Sequence, residues 1–225
     1  MSKQKKQSLI ATLLIILLIV IDQIIKVVVK LNMNLGDSIH IFDWFQIQFI
    51  ENNGMAWGME LGSKLFLSIF RIVAIGFLIW YISNRIKHGA RMAYIVVLSM
   101  ITAGAAGNIF DSLFYGQLFT ASTPYYIEGA TPATLVSWGE GYAPVLMGKV
   151  VDMFYFPLFH GTFPDWFPLW GGESFTFFSP IFNFADSCIS VGVITIILAF
   201  RKDFNGWVPA KDKKVADKEN ITDNQ

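Results

Sequence analysis

Four stretches of this chain, residues 9–29, 65–82, 93–110 and 181–200, are each apolar over about the 20 residues that a helix needs to cross a hydrocarbon core. Lipid offers no partner to an unpaired backbone N–H or C=O, so such a pattern restricts the fold to a bundle of membrane-spanning helices. Composition agrees. Hydrophobic residues make up 54% of the chain and charged residues 15%, well below the charged share of about 25% usual in soluble domains, and mean hydropathy is +0.49. A net charge of zero gives no reason to expect a nucleic-acid partner. The first stretch follows Lys3, Lys5 and Lys6 and so has the look of a cleavable leader. It is too long for one, Asp22 and Lys26 interrupt it, and no small-residue cleavage pattern follows; it reads as a retained span.

The short loops give a direction. Lys and Arg gather in the amino-terminal tail, in the loop holding Arg85, Lys87 and Arg91, and after the fourth stretch at Arg201 and Lys202. The segment 31–63 has none, and 112–180 has only Lys149. By the positive-inside rule both termini are expected in the cytoplasm, with the two poor segments outside. "FQIQF" (residues 45–49) alternates like a half-buried strand, and Asn53-Gly54 is a hairpin-type turn signal. The second outer segment is rich in aromatics, among them Trp138, Phe163, Trp166, Phe167 and Trp170, as expected at headgroup level. The expected fold is therefore a membrane all-α protein of four transmembrane helices with a small β-containing extracytoplasmic platform. Residues 1–200 form this domain, and 201–225 a polar tail expected to be disordered.

On this topology the polar residues fall at one depth, near the outer leaflet: Asp22 and Lys26, Asn52, Asn108 and Asp111, Asp152, and Asn183 and Asp186. A charged side chain at mid-bilayer costs about 2.5–3.5 kcal/mol on insertion scales, so such groups turn inward and find partners. Asp22 with Lys26 is an i, i+4 pair, and Asn108–Asp111 and Asn183–Asp186 are i, i+3 pairs, so each pair projects from one helix side. Ala103 and Gly107 give a small-residue spacing that lets helices approach closely.

Carboxylates without metal-spaced histidines or cysteines suggest acid–base work. His40, His88 and His160 are scattered, and the single Cys188 reads as a packed structural thiol. Two carboxyl groups in one site resist double ionisation and share a proton, which suits one to activate water and the other to protonate a carbonyl oxygen. Spacing alone leaves Asp152, Asp186, Asp111 and Asp22 as rivals for that pair. A small transporter or channel subunit with an Asp/Lys ion path is the other reading, and a metal-dependent lipid-headgroup enzyme a third.

The ordered set "DQIIK", "ENNGMAW", "AGAAGNIFD", "KVVDMF" and "FNFADSCIS" resembles the sequence boxes of the bacterial lipoprotein signal peptidases (signal peptidase II), whose patterns are N-x-G-x-A-F, G-N-x-x-D-R, V-V-D-F and F-N-x-A-D. The resemblance implies an intramembrane aspartic endopeptidase of the bacterial inner membrane. It would cut diacylglyceryl-modified prolipoproteins before the lipidated cysteine, without a cofactor or metal, in contact with membrane lipids and as a monomer. It implies Asp152 and Asp186 as the catalytic pair, and Asn52, Gly54, Asn108, Asp111 and Asn183 around the substrate. Asp22, Lys26 and Ala185 would take supporting places. Three departures stand out: Trp57 replaces the usual Phe, Ser112 replaces the usual Arg after Asp111, and residues 112–147 form a long aromatic-rich insertion.

Overall fold

A computed structural model describes residues 1–52 and 61–205. Helices α1 (Lys3–Asn32), α2 (Leu61–Lys87) and α3 (Met92–Leu118) are long and apolar enough to cross a membrane, and α4 (Phe184–Ala199) is apolar but 16 residues long. A short α5 (Arg201–Asn205) follows. The strands are β1 (Ser38–Phe42), β2 (Phe45–Asn52), β3 (Val150–Tyr155), β4 (Phe159–Thr162), β5 (Ser174–Phe177) and β6 (Ile181–Phe182). Side chains are sorted the opposite way from a water-soluble bundle. Leu13, Ile24, Phe66, Val73 and Leu198 face outward, while Asp22, Lys26, Asn108 and Asp111 are buried. Only a lipid surround makes that arrangement favourable.

The central helix is α3, which packs against α1, α2 and α4. Its small residues set the approach. A methyl group at Gly104 would strike the Ala185 carbonyl of α4, and one at Gly107 would lie 2.6 Å from Asp22 Oδ2 of α1. The expected approach at Gly107 is therefore present, Ala103 is buried on the same helix, and Gly104 between them makes a further, tighter approach. Two boundaries also differ from expectation. Helix α3 continues two turns beyond residue 110, which puts Asp111 inside the helix, where the sequence suggested its end. The stretch 181–200 divides: Ile181 and Phe182 pair with β3 as a strand, and α4 begins only after Asn183.

At the end of the bundle where α1 and α3 finish and α2 and α4 start, β1-β2-β3-β6 form one antiparallel sheet. The anticipated strand at 45–49 extends to Asn52. Its ladder with β3 sets Ile50 opposite Asp152 and Asn52 opposite Val150. Val29, Phe49, Tyr115, Phe119, Val151 and Met153 make an apolar core beneath the sheet, and Tyr81, Ile82, Ile86, Tyr94, Ile95 and Leu98 make a second core at the opposite end. The long segment after α3 folds back on that helix: Ala143 N–H donates to Gly116 O at 2.9 Å and Gly148 N–H to Ser112 O at 3.0 Å. Strands β4 and β5 form a separate ribbon, with Phe159 and Phe177 stacked 4.6 Å apart and Trp166 and Leu169 exposed near its tip.

Because the Gly104 approach is to backbone, neither side can yield cheaply. Gly104→Ala is expected to lower stability by about 1–3 kcal/mol, read as a lower midpoint of thermal unfolding in detergent. Gly76→Ala, where an added methyl meets nothing within 4 Å, is expected to be neutral or slightly stabilising, as Ala exceeds Gly in helix propensity.

Candidate active site

Strand alternation starts the construction. Val151 and Met153 point into the core beneath the sheet, so Asp152 between them points the other way, towards the start of α4. That start is built by a capping box. Asn183 Oδ1 accepts from Asp186 N–H at 2.9 Å, and Asp186 Oδ2 accepts from Asn183 N–H at 3.3 Å. The same Asn183 side chain donates from Nδ2 to Asp152 Oδ1 at 2.6 Å. It also reaches Asn108 Oδ1 at 3.1 Å, while Asn108 Nδ2 donates to Asp186 Oδ1 at 2.7 Å. One buried asparagine therefore ties Asp152 on β3 to Asp186 on α4, and a second steadies Asp186 from α3.

The pair is electrically tense. Burial raises the Asp152 carboxyl, and the neighbouring Asp186 charge raises it further, to about 7, against the opposing pull of hydrogen bonds from Asn183 and Asn52 and of the Lys26 charge. Asp152 is only 2% exposed. Beside Asp186 opens an apolar groove of about 710 Å³, walled by Phe45, Phe154, Phe156, Phe178 and Phe182.

The other two aspartates form a second group. Lys26 Nζ has three N–H bonds and three acceptors: Asp22 Oδ2 at 2.9 Å, Asp111 Oδ2 at 2.8 Å and Asn108 Oδ1 at 2.9 Å. Asp22 Oδ1 accepts from Ala185 N–H at 2.9 Å, and Gln23 Nε2 donates to Asp111 Oδ1 at 2.8 Å. Tyr115 OH in turn holds Gln23 Oε1 at 3.0 Å. The four rival carboxylates thus separate into Asp22 with Asp111 around a lysine, and Asp152 with Asp186 around an asparagine.

A further buried cluster lies nearby. Lys30 and Lys149 both pair with Glu51, and Ser122 donates to it at 2.7 Å. Burial alone would raise the Glu51 carboxyl, but the Lys30 charge and hydrogen bond lead the contributions that hold it below its usual range.

Of the residues singled out by sequence, Asn52, Asn108, Asp152, Asn183 and Asp186 come together in one network. Asp22, Lys26, Asp111 and Ala185 form the layer behind it, with Asn108 touching both. Gly54, the turn at Asn53 and Trp57 lie outside the described residues. Gln23, Lys30, Glu51, Tyr115 and Lys149 were not singled out as site residues. Lys30 carried a usable signal, standing one helical turn beyond Lys26 on the same face.

The model of the signal peptidase (SPase) II family matches residues 14–202 of the chain. The lipoprotein signal peptidase of Porphyromonas gingivalis is 51% identical over 195 residues, covering 86% of this chain and 84% of that protein. The lipoprotein signal peptidase of Amoebophilus asiaticus is 38% identical, covering 80% and 72%. Among solved structures, a bacterial membrane enzyme determined by the in meso method aligns over 86% of this chain and 93% of its own, with a TM-score of 0.56 and 26% identity. With its apolar helices and its paired aspartates, this chain belongs to the lipoprotein signal peptidases, the signal peptidase II family of membrane-embedded aspartic proteases.

Proposed function

We propose that Asp152 and Asp186 are the catalytic pair of an endopeptidase that removes the signal peptide from diacylglyceryl-modified prolipoproteins, cutting just before the lipidated cysteine. The observation that carries this reading is Asn183, which donates to the Asp152 carboxylate from its side-chain Nδ2 and to the Asp186 carboxylate from its backbone N–H. With a single proton between them, the ionised member takes a proton from water as its oxygen attacks the scissile carbonyl. The protonated member donates to the carbonyl oxygen. As the tetrahedral intermediate collapses, the C–N bond breaks and the leaving amine receives a proton from the pair. Asn52, Gly54, Asn108, Asp111 and Asn183 shape the peptide's path, with Asp22, Lys26 and Ala185 supporting them. The phenylalanine-walled groove beside Asp186 suits the acyl chains, since apolar walls cost nothing to desolvate.

In the same reading α1 to α4 all span the bacterial inner membrane and both termini lie in the cytoplasm. The sheet and the site then face the extracytoplasmic side, and the enzyme works as a monomer alongside membrane lipids. The 16 residues of α4 rise about 24 Å, and the capped Asn183–Asp186 turn sets its outer end at the depth of the dyad. Residues 1–200 act as one peptidase domain and 201–225 as its cytoplasmic tail.

Cleavage of a lipidated precursor peptide tests the pair. Asp152→Asn and Asp186→Asn are each expected to cut turnover by roughly 100- to 10,000-fold while binding of the peptide stays within a few-fold; wild-type turnover in either variant would remove that residue from the chemistry. The pH profile gives a second test. Asp152 is pushed up to about 7, so the proton that the mechanism needs is present below that value and lost above it. kcat/KM is expected to fall as pH rises through about 7. A profile flat to pH 9 would contradict this.

A further inference from the structure

Strands β2 and β3 do not keep a single register. Ile47 lies opposite Phe154, yet Ile50 lies opposite Asp152, so three steps along β2 match two along β3. Such a slip reverses which side chains face which way beyond it. Residues paired across a ladder share a face. After the slip Asn52 stands opposite Val150, on the face of Asp152, while Glu51 stands opposite Val151, on the face of the core. In the unslipped register Asn52 would fall opposite Lys149 and turn away from Asp152. The slip therefore gives Asp152 its hydrogen bond from Asn52. Among the described residues three pairs lie beyond it, at Ile50, Glu51 and Asn52. So short a run holds its register weakly unless a side chain pins it.

Glu51 is pinned from three directions. Its Oε1 accepts from Lys30 Nζ of α1 and from Ser122 Oγ at 2.7 Å, and its Oε2 accepts from Lys149 Nζ at 3.1 Å. Lys30 Nζ also donates to Ser122 Oγ at 2.9 Å, which closes a ring of three groups. The side chains of Lys30 and Glu51 are both buried. The insertion 112–147 supplies Ser122 and also Tyr142, whose OH accepts from Lys149 N–H at 2.6 Å and whose ring centre lies 5.1 Å from the Lys30 ammonium. In the unslipped register Glu51 would stand opposite Val150. It would leave Lys30 buried without its carboxylate and bring a third carboxylate to the face of Asp152 and Asp186. Stranding a buried charge is costly, so the clamp favours the slipped register.

We propose that Glu51 is a positioning residue for the reaction: clamped by Lys30, Lys149 and Ser122 on the core face of the sheet, it holds the end of β2 in the slipped register that presents Asn52 to Asp152. The inference rests on Asp152 and Asp186 being the catalytic pair. It also gives the insertion a task. Through Ser122 and Tyr142 the insertion closes the clamp from behind the sheet, and so acts on the site without entering it. Glu51 touches neither aspartate; it acts through its chain neighbour Asn52.

The experiment measures kcat, KM and the midpoint of thermal unfolding for the full-length enzyme on a lipidated precursor peptide. The clamp variants are Glu51→Met combined with Lys30→Met, and Ser122→Ala. Each is made alone and together with Asn52→Ala, beside Asn52→Ala and Asp152→Asn. Replacing both members of the buried pair strands no charge, so the first variant separates loss of the clamp from loss of the fold. Its kcat is expected to fall roughly 10- to 100-fold, as misplacement at a reacting centre does, with KM within a few-fold. Ser122→Ala removes one hydrogen bond and is expected to lower kcat by about three- to tenfold. In the Asn52→Ala background neither change is expected to lower kcat by more than about twofold, because the side chain that the clamp positions is gone. A merely structural loss lowers kcat by the same factor with or without Asn52, and that result overturns the inference. So does wild-type kcat in a folded clamp variant, or in Asn52→Ala. Ser122→Ala decides the matter if the paired variant does not fold. If Asp152→Asn is inactive while the clamp variants keep wild-type kcat, only the role of Glu51 fails. If Asp152→Asn remains active, the catalytic pair fails and the inference falls with it.

Discussion

The Lys26 ammonium is fully buried, and each of its three protons has an acceptor. An unpaired charge at this depth would cost several kcal/mol, so the lysine's position fixes the elements that supply its partners. Through Asp22 it is linked to the first turn of α4, whose Ala185 N–H binds that carboxylate. Through Asp111 it is linked to β3, whose Val151 N–H approaches the same oxygen at 3.4 Å. Through Asn108 it reaches the side chain that holds Asp186. Four separate elements thus take their register from one cation, and removing it would strand two buried carboxylates.

That layer explains why four aspartates at similar depth behave differently. Asp22 and Asp111 share a full positive charge and are saturated by donors, including Gln23. Asp152 and Asp186 are held mainly by neutral amides, Asn183 and Asn108, which orient a carboxylate without cancelling its charge. Charge pairing serves structure in the first group. In the second, incomplete compensation leaves the Asp152 carboxyl raised, to about 7, which is the condition the proposed acid–base work requires.

Much of this was legible in the chain. The apolar stretches and the common depth of the polar residues follow from the cost of charge in lipid, which acts on sequence directly. Asn183 is of the residue type favoured as a helix cap, and it is one. The pairing of Lys26 with Asp111 was not legible, because it joins two helices 85 residues apart and nothing local in either helix specifies its partner. Nor was the extension of α3 to Leu118: residues 111–118 lack a long apolar run, and they are helical because β3 and the returning insertion bury them. The close approach at Gly107 agrees with the small-residue spacing, but the tighter one at Gly104 was not legible, because spacing shows that small residues exist on a face but not which of them meets a backbone. Sequence did flag Ser112 as unusual; it could not show that Gly148, 36 residues away, packs against the same turn.

The raised Asp152 carboxyl also ties activity to stability. A carboxyl whose value is higher folded than unfolded favours the folded state when protonated. That contribution is complete below the unfolded value, near 4, and is lost as pH rises through the folded one, about 7. In the proposed mechanism, the proton that equips the pair to act is therefore also the one that makes Asp152 tolerable inside the fold. Asn183 eases the conflict, since its Nδ2 binds the Asp152 oxygen whether or not the other oxygen carries the proton. An apolar residue at 183 would remove the Asp152 donor at 2.6 Å and leave only Asn52 and the Lys26 charge against burial, and a cation there would pull the carboxyl back down, so the amide is the side chain that suits both the fold and the proton sharing proposed for the pair.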